Sequence, residues 1–583
     1  MVKYFSRLRG GLSVLPPFLR RIFAMCLAVL TASFFAVLLF IVLLYNREVK
    51  LPTWAETYVS SKIDASLPDL NINFDSAFFT LDDSWRPSLG FKDIEVTPGT
   101  TPKPVLLNRM MVKLSLLRAL EGKFRIDTIE VDGVFISLRR DQSGTVTAQF
   151  GDFDNQFEKT PSAPDLIAAV DAFLLQQALS NFHSLDARGI TLEYVDGRSD
   201  RRWTVDGARF NVKKTNNKLF ARADMALLTG GADVATLEAS FEHVISEADS
   251  IFGLSFEGMP AEIASSQLPA LAWLSALRAP ISGALRGGFD SSGSLDPINA
   301  TIHISNGALQ PNSASRAILF DAASAYFSYD AGQALLTFDD VSISSRDLSL
   351  SAEGYAILEP ENDWPTGLFG QFKFADIRVN PEGQLNAPVT LDHGLMDFRL
   401  LLEPFELQVK QFFAEDNGRD IGVSGSAILR ADEQGWSANV DAVAPQAMSD
   451  HVLAYWPPNF KPKSRNWVKQ NVKTAGLRDI QYSMRLKEGK PPQNDLGFSY
   501  HDAEIRILKT LPPIQNSSGQ FSLANNRLAT QLTTASFVPQ NGETVDLSGT
   551  QLVIPDVRIK PAPAIAEIRA IGSVTSALTT LNY

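Results

Sequence analysis

The sequence predicts a mainly β chain of antiparallel strands with a few short helices, preceded by one N-terminal transmembrane helix. Three observations carry that prediction. Ile22 to Leu44 is an apolar run with no charge across 23 residues. Beyond residue 70, short runs alternate apolar and polar positions and end at Gly, Asn, Asp or Pro, the turn-forming residues. Only three segments beyond that point carry a helical apolar period.

At about 1.5 Å per residue, the apolar run is long enough to cross a hydrocarbon core of ~30 Å. Lys3, Arg7, Arg9, Arg20 and Arg21 precede it, with no acid among the first 21 residues. That asymmetry places the N-terminus in the cytoplasm and everything after Leu44 across the membrane. A cleaved secretory signal is the alternative. Signal cores, however, run ~7–15 residues and end in a small-x-small site, whereas this run exits through Tyr45, Asn46 and Arg47. The expected organisation is a basic tail (1–21), the span (22–44), a β part with helical insertions (45–280) and a continuing repetitive β part (281–583).

The net charge of −12 includes five cations and no acid ahead of the span, so the remainder carries −17. A body that acidic is a poor partner for nucleic acid. The one cysteine, Cys26, lies within the span, which leaves the rest of the chain no disulfide, cysteine nucleophile or thiolate ligand. With 45% hydrophobic residues, the chain must bury apolar surface against itself or something else.

In chain order, Pro52 to Ile63 reads as a short helix. Its Trp54 and Tyr58 fall on one side, suited either to a membrane interface or to ordinary packing. Asn71–Phe79 and Gly90–Thr97 read as strands, and Lys113–Leu120 as a helical turn or two. In Phe124–Arg140, Ile129 and Val131 share a face; past Gly133 the alternation restarts with Val134, Ile136 and Leu138, the mark of a bulge or bend. Later alternations are Ile190, Leu192 and Tyr194; Ile302 and Ile304; Val341 and Ile343; Phe372, Phe374, Ile377 and Val379; and Phe405, Leu407 and Val409. The helical segments are Pro164–His183, with a stripe of Leu166, Val170, Phe173 and Leu174; Ala261–Arg278, interrupted by Pro269; and Ser464–Thr474.

Three helices cannot cover some thirty strands. A sheet with one apolar face must bury it on another sheet, on helices or on a ligand. Two pictures stay open from the pattern alone: a sandwich, and an extended curved sheet whose concave apolar face holds acyl chains.

Reactive residues show no concentration. The six histidines (His183, His243, His303, His393, His451 and His501) are scattered and read as surface or satisfied core residues. Gly422-Val-Ser-Gly425 only superficially resembles a nucleophile elbow, and Asp152-Phe-Asp-Asn155 lacks the glycine a calcium loop needs, having Phe157 there. No catalytic residue, metal site or cofactor is assigned. The one dense feature is Tyr455–Thr474, where Trp456 and Trp467 bracket Lys461, Lys463, Arg465, Lys469 and Lys473. It suits an anionic headgroup or membrane surface, or else a solvated helix docked through Trp467 and Val468.

Here the residues resemble a family. WPPNFKPKSRNWVKQNVKTAGLRDIQYSMRL is similar to the Trp-Pro…Arg-x-Trp-Val…Gly block of the YhdP branch of the AsmA-like proteins. LPPIQNSSGQFSLANNRLATQLTTASF resembles the block that follows there, with Pro512, Gly519, Phe521 and Leu528 at matching places. These blocks cover about a quarter of the chain and are structural signatures. The chain stops at Tyr583, where the family continues through more strands, so a truncated chain or a shorter relative is expected. The resemblance implies a taco-like β-groove anchored in the inner membrane of a Gram-negative envelope, carrying phospholipids through the periplasm toward the outer membrane. The candidate lining is then Ile129, Val131, Ile190, Leu192, Tyr194, Ile302, Ile304, Phe372, Phe374, Phe405, Leu407 and Val409, with Trp456, Lys461, Lys463, Arg465 and Trp467 as headgroup or membrane contacts. The alternative is an envelope scaffold or outer-membrane assembly factor that pairs with envelope proteins through strand edges.

Overall fold

The computed structural model describes residues 17–45, 47–66, 70–81, 86–98, 105–114, 126–141, 146–150, 163–176, 179–228, 234–247, 249–361, 364–380, 385, 387–507, 511–540 and 542–581. The expectations for the tail before residue 17, for all but the start of the helical turns at Lys113–Leu120 and for the loop Asp152–Asn155 lie outside these residues; Lys113 and Leu114 themselves end a strand. The chain forms two compact units, residues 1–230 with 240–248, and residues 231–239 with 249–583. The division expected at residue 280 falls within the second unit, at the first residue of the strand Pro280–Phe289.

In the first unit, helix α1 (Pro17–Leu44) contains a stretch, Arg21–Leu39, with mean hydropathy 2.6 and no residue buried, long and apolar enough to cross a membrane. The chain ties back at once. Tyr45 bridges Leu81, β1 (Val49–Lys50) pairs with β2 (Leu70–Leu81), and α2 (Thr53–Ser66) lays Val59 and Ile63 on the sheet. Trp54 and Tyr58 face outward, 75% and 50% exposed, so neither is a packing aromatic.

Then come β3 (Pro87–Pro98), β4 (Val105–Leu114), β5 (Ile126–Arg140), β6 (Val146–Phe150), β7 (Ser184–Asp196), β8 (Arg201–Thr215) and β9 (Lys218–Leu228). Among the described strands of this unit, pairing is antiparallel with one exception. β5 takes β4 and β6 on successive halves of one edge and β7 parallel on the other. Parallel neighbours need a long crossover, and this one contains α3 (Ala163–Leu174). The helix is shorter than the sequence period implies, and the expected stripe is not its buried side. Leu166, Val170 and Phe173 are exposed, while Leu174 is buried. Asp171 decides the orientation: its buried carboxylate lies 3.0 Å from His243 Nε2 and accepts the Ser246 N–H at 2.8 Å. His243 is thus a satisfied core histidine.

The division between units falls in β10 (Val234–Val244). The second unit continues with β11 (Ser250–Pro260), α4 (Ala261–Ala264), a 3-10 helix (Pro269–Ala276), β12 (Leu277–Arg278), β13 (Pro280–Phe289), β14 (Ile298–Ile304), β15 (Gly307–Leu309), β16 (Ile318–Phe320), β17 (Ala322–Asp330), β18 (Leu335–Ser344), β19 (Leu348–Glu361) and β20 (Trp364–Val379). It is completed by β21 (Val389–Leu401), β22 (Phe405–Asp416), β23 (Ile421–Asp432), β24 (Gly435–Met448), α5 (Ser449–Tyr455), α6 (Pro462–Asn471), β25 (Val472–Lys487), β26 (Gln493–Ile505), β27 (Ile514–Ala524), β28 (Arg527–Phe537), β29 (Val545–Asp546), β30 (Gln551–Ile554), β31 (Ile565–Glu567) and α7 (Val574–Leu581). Pro269 does not interrupt a helix. It opens the 3-10 segment at its first position, where a missing N–H costs nothing.

Left-handed residues cross both units in mid-strand. In the first, registers align Asp93 (φ 48) with Asn108, Asn108 with Gly133 (φ 75), and Gly133 with Gly189 (φ 60). In the second, Asp376 (φ 52), Asp479 (φ 55), Asp502 (φ 50) and Asn516 (φ 49) occupy β20, β25, β26 and β27. Each resets the alternation by one residue and bends its strand. Val131 and Val134, or Phe374 and Ile377, therefore share a face although their spacing is odd. A side chain at Gly133 would meet two obstacles, the left-handed backbone and Asn108 Nδ2 at 2.7 Å from the added Cβ. We expect Gly133→Val to destabilise the first unit by about 1–3 kcal/mol, read as a lower melting midpoint, while Asp376→Gly leaves the midpoint nearly unchanged.

Candidate functional site

Following the cross-strand partners yields one apolar face in each unit. In the second, Ala300, Phe327, Phe338, Gly354, Phe372, Met396 and Phe412 are successive partners. The row continues through Gly425, Ala442, Tyr482, Leu496, Leu523, Leu528 and Ile554. Paired residues point to the same side, so the row runs from β14 to β30 with the Tyr482 phenol, donating to Asn494, as its one polar group. At ~4.8 Å per strand it runs roughly 60 Å. Rings reinforce it: Phe338 lies 5.3 Å from Phe327 and 5.4 Å from Phe372, and Phe372 lies 5.4 Å from Phe398. In the first unit, Ala77, Phe91, Met110, Val131, Ala187, Phe210 and Ala223 form the corresponding row.

The cover is partial and helical. In the first unit α2 packs over Ile72, Phe91, Ile94 and Val112, while Leu174, Leu179 and Phe182 pack over Ile129, Leu185 and Val212. In the second, the 3-10 helix sets Trp273 edge-on against Phe338 at 6.4 Å, and its Ala276 joins Phe405, Ala431 and Trp436. Val452 of α5 joins Leu477, Tyr500 and Ile514. The sandwich picture fails within each unit, because the only other sheet among the described residues is β12–β15–β16, with strands of two or three residues.

All the candidate lining residues of a given unit share its apolar face, but they differ in access. Ile302, Ile304, Val131, Phe405 and Val409 are buried by protein. Ile129, Ile190, Leu192, Tyr194, Phe372, Phe374 and Leu407 are half-buried, and Tyr194 stacks on Trp203 at 5.0 Å. Met396, Phe412, Tyr482 and Leu496 belong to the same face and escaped the sequence reading. Phe412 was hidden by the bulge between it and Val409, which breaks the alternation of β22.

The basic segment divides. Lys461 (φ 49) precedes α6, and Lys461, Lys463 and Trp467 are exposed. Trp456 is half-buried, its Nε1–H donating to the Phe460 carbonyl at 2.7 Å. Arg465 is buried. Nearby, Asp416 at the end of β22 accepts from Tyr455 Oη (2.6 Å) and Arg419 Nη1 (2.5 Å), clamping α5 to the strand ends. Burial pushes the Asp416 carboxyl up, but these two donors outweigh it and hold it below its ordinary value near 3.8; burial and the same carboxylate push the Tyr455 phenol up.

Comparison with family models, with curated proteins and with solved structures finds no match to this chain.

Because the folded Asp416 carboxyl titrates below its ordinary value, the clamp contributes fully above that value and is lost as the pH falls through the lower one. We expect Asp416→Asn to destabilise the second unit by about 1.5–3 kcal/mol at neutral pH. The melting midpoints of wild type and variant should converge as the pH drops below 3.8.

Proposed function

We propose that the chain is a non-enzymatic phospholipid conduit, an AsmA-like protein related to the YhdP branch. In this reading α1 anchors it in the inner membrane with the N-terminus cytoplasmic, and the units lie in the periplasm and pass lipid toward the outer membrane. Trp54 and Tyr58, exposed just beyond the span, would sit at the membrane interface. The observation that carries the reading is the unbroken apolar row from β14 to β30, which helices cover only in part. Acyl chains on such a row gain ~0.8 kcal/mol per buried methylene, nearly equally at each step. Movement along it is therefore easy and carries no preferred direction. The polar opposite face, with pairs such as Arg430–Glu406 and Arg485–Asp441, keeps that side in water.

The scaffold reading draws on one feature: Ile565, Ile568, Ile571 and Val574, around the last strand, are exposed and could pair with a client strand.

Lipid occupancy tests the two. Full-length protein extracted gently should carry phospholipid by native mass spectrometry. Leu407→Lys combined with Phe412→Lys should cut that occupancy several-fold and block lipid passage, with the melting midpoint monitored in parallel. Unchanged occupancy in a folded double variant would count against the conduit and favour the scaffold.

A further inference from the structure

A cavity of about 360 Å3 lies in the second unit where β21 begins, walled by α5, α6 and Arg419 of the β22–β23 turn. It lies at the small end of ligand sites, which span ~300–1,000 Å3, and is too small for a whole lipid. Three cations line it, Arg419, Arg465 and Lys469, with one carboxylate, Asp450. Arg419 is already neutralised by Asp416. That leaves Arg465 and Lys469 against Asp450, a surplus of one positive charge.

Arg465 is the informative residue. It is only 8% exposed, yet its hydrogen bonds among the described residues go to carbonyls: Nε to Trp456 at 2.8 Å and Nη2 to Leu453 at 3.0 Å. Those bonds cap the end of α5 and fix the guanidinium, but carbonyl oxygens do not neutralise a charge. A buried cation held this way calls for an anion, and Nη1 has no hydrogen-bond partner among the described residues. The remaining wall is apolar, with Leu453, Pro388 and Val389. Val389 pairs with Val379 on the apolar face, beside Leu391 and Ile377. One wall of the cavity is therefore the end of the face itself.

We propose that this cavity binds the phosphodiester of a glycerophospholipid, with Arg465 Nη1 and Lys469 on the phosphate oxygens and the acyl chains leading from Val389 onto the apolar face. A phosphodiester carries one negative charge, matching the surplus, and guanidinium–phosphate bonds are among the stronger charge-assisted ones. The assignment rests on the conduit reading above and adds a place where a headgroup is held.

The test uses the full-length protein in a non-ionic maltoside detergent, stripped of phospholipid. Three probes are titrated: a short-chain phosphatidylglycerol, the diacylglycerol with the same chains, and inorganic phosphate. Arg465→Gln and the exposed Lys469→Gln should each weaken phosphatidylglycerol binding about tenfold and leave diacylglycerol binding unchanged. Arg465→Lys, which keeps the charge, should lose less. If wild type binds both lipids and neither variant separates them, the cavity assignment is overturned while the conduit stands. If wild type binds neither lipid, both fall. Inorganic phosphate binding as tightly as the lipid, and lost in Arg465→Gln, would overturn the lipid as its occupant. Lys469→Gln keeps the test valid should Arg465→Gln lower the melting midpoint through loss of the α5 cap.

Discussion

The constraint on which the architecture depends is that a strand bent by a left-handed residue must change phase without changing face. Strands of 11 to 16 residues, such as β9 and β20, are long enough for twist to carry one end away from its neighbours. A single left-handed residue in mid-strand bends the chain and shifts the alternation by one. Unless the sequence shifts its apolar positions at the same residue, half the strand turns its greasy side to water. Here it does: Val131–Asp132–Gly133–Val134 and Phe374–Ala375–Asp376–Ile377 both keep their apolar residues on one side. The residues at the shift are Gly, Asp or Asn, those that tolerate positive φ at least cost.

That coordination explains where the core sits and where it stops. Protein cover is concentrated at strand ends. The Phe405 end of β22 lies under Ala276 and Trp436, and its Asp416 end is held by Tyr455 and Arg419. Between those ends Leu407, Phe412, Gly425 and Ala442 are half-buried. An apolar surface of that kind is costly to leave in water, and short helices of four to ten residues cannot reach across it.

Much of this was legible in the letters. The span, the predominance of strands and the phase reset at Gly133 follow from local physics, since each depends on a few adjacent residues. The sides of α3 did not, because a charged residue, Asp171, is drawn inward by His243 some 70 positions away and overrides the apolar stripe. The parallel β5–β7 pairing was equally hidden, being a choice between edges that alternation does not encode. The apolar row was only partly visible. Phe372 and Leu407 stand in clean alternations, whereas Gly425 and Ala442 carry too little hydrophobicity to register. The cavity around Arg465 was seen only as a basic helix, because Arg419 and Val389 reach it from distant strands.

Those small residues bear on how the face could work. Between β17 and β20 the row carries Phe327, Phe338 and Phe372, with Gly354 of β19 between the last two; the Phe338 ring contacts both other rings, and Trp273 of the 3-10 helix meets it edge-on. Aromatic rings with a partner above fill their own volume. At β23 and β24 the row shrinks to Gly425 and Ala442, then widens again to Tyr482 and Leu496. Gly425 has a reason of its own: an added Cβ would lie 2.1 Å from the Asp441 carbonyl oxygen of β24, so no side chain fits there. The neighbouring Phe412 is half-buried and Tyr482 is 37% exposed. At position 425 stability itself requires glycine, since the neighbouring strand's backbone would have to move to admit a side chain. The dip in the row is thus set by how closely β23 and β24 approach, and the face stays only half-buried at that point.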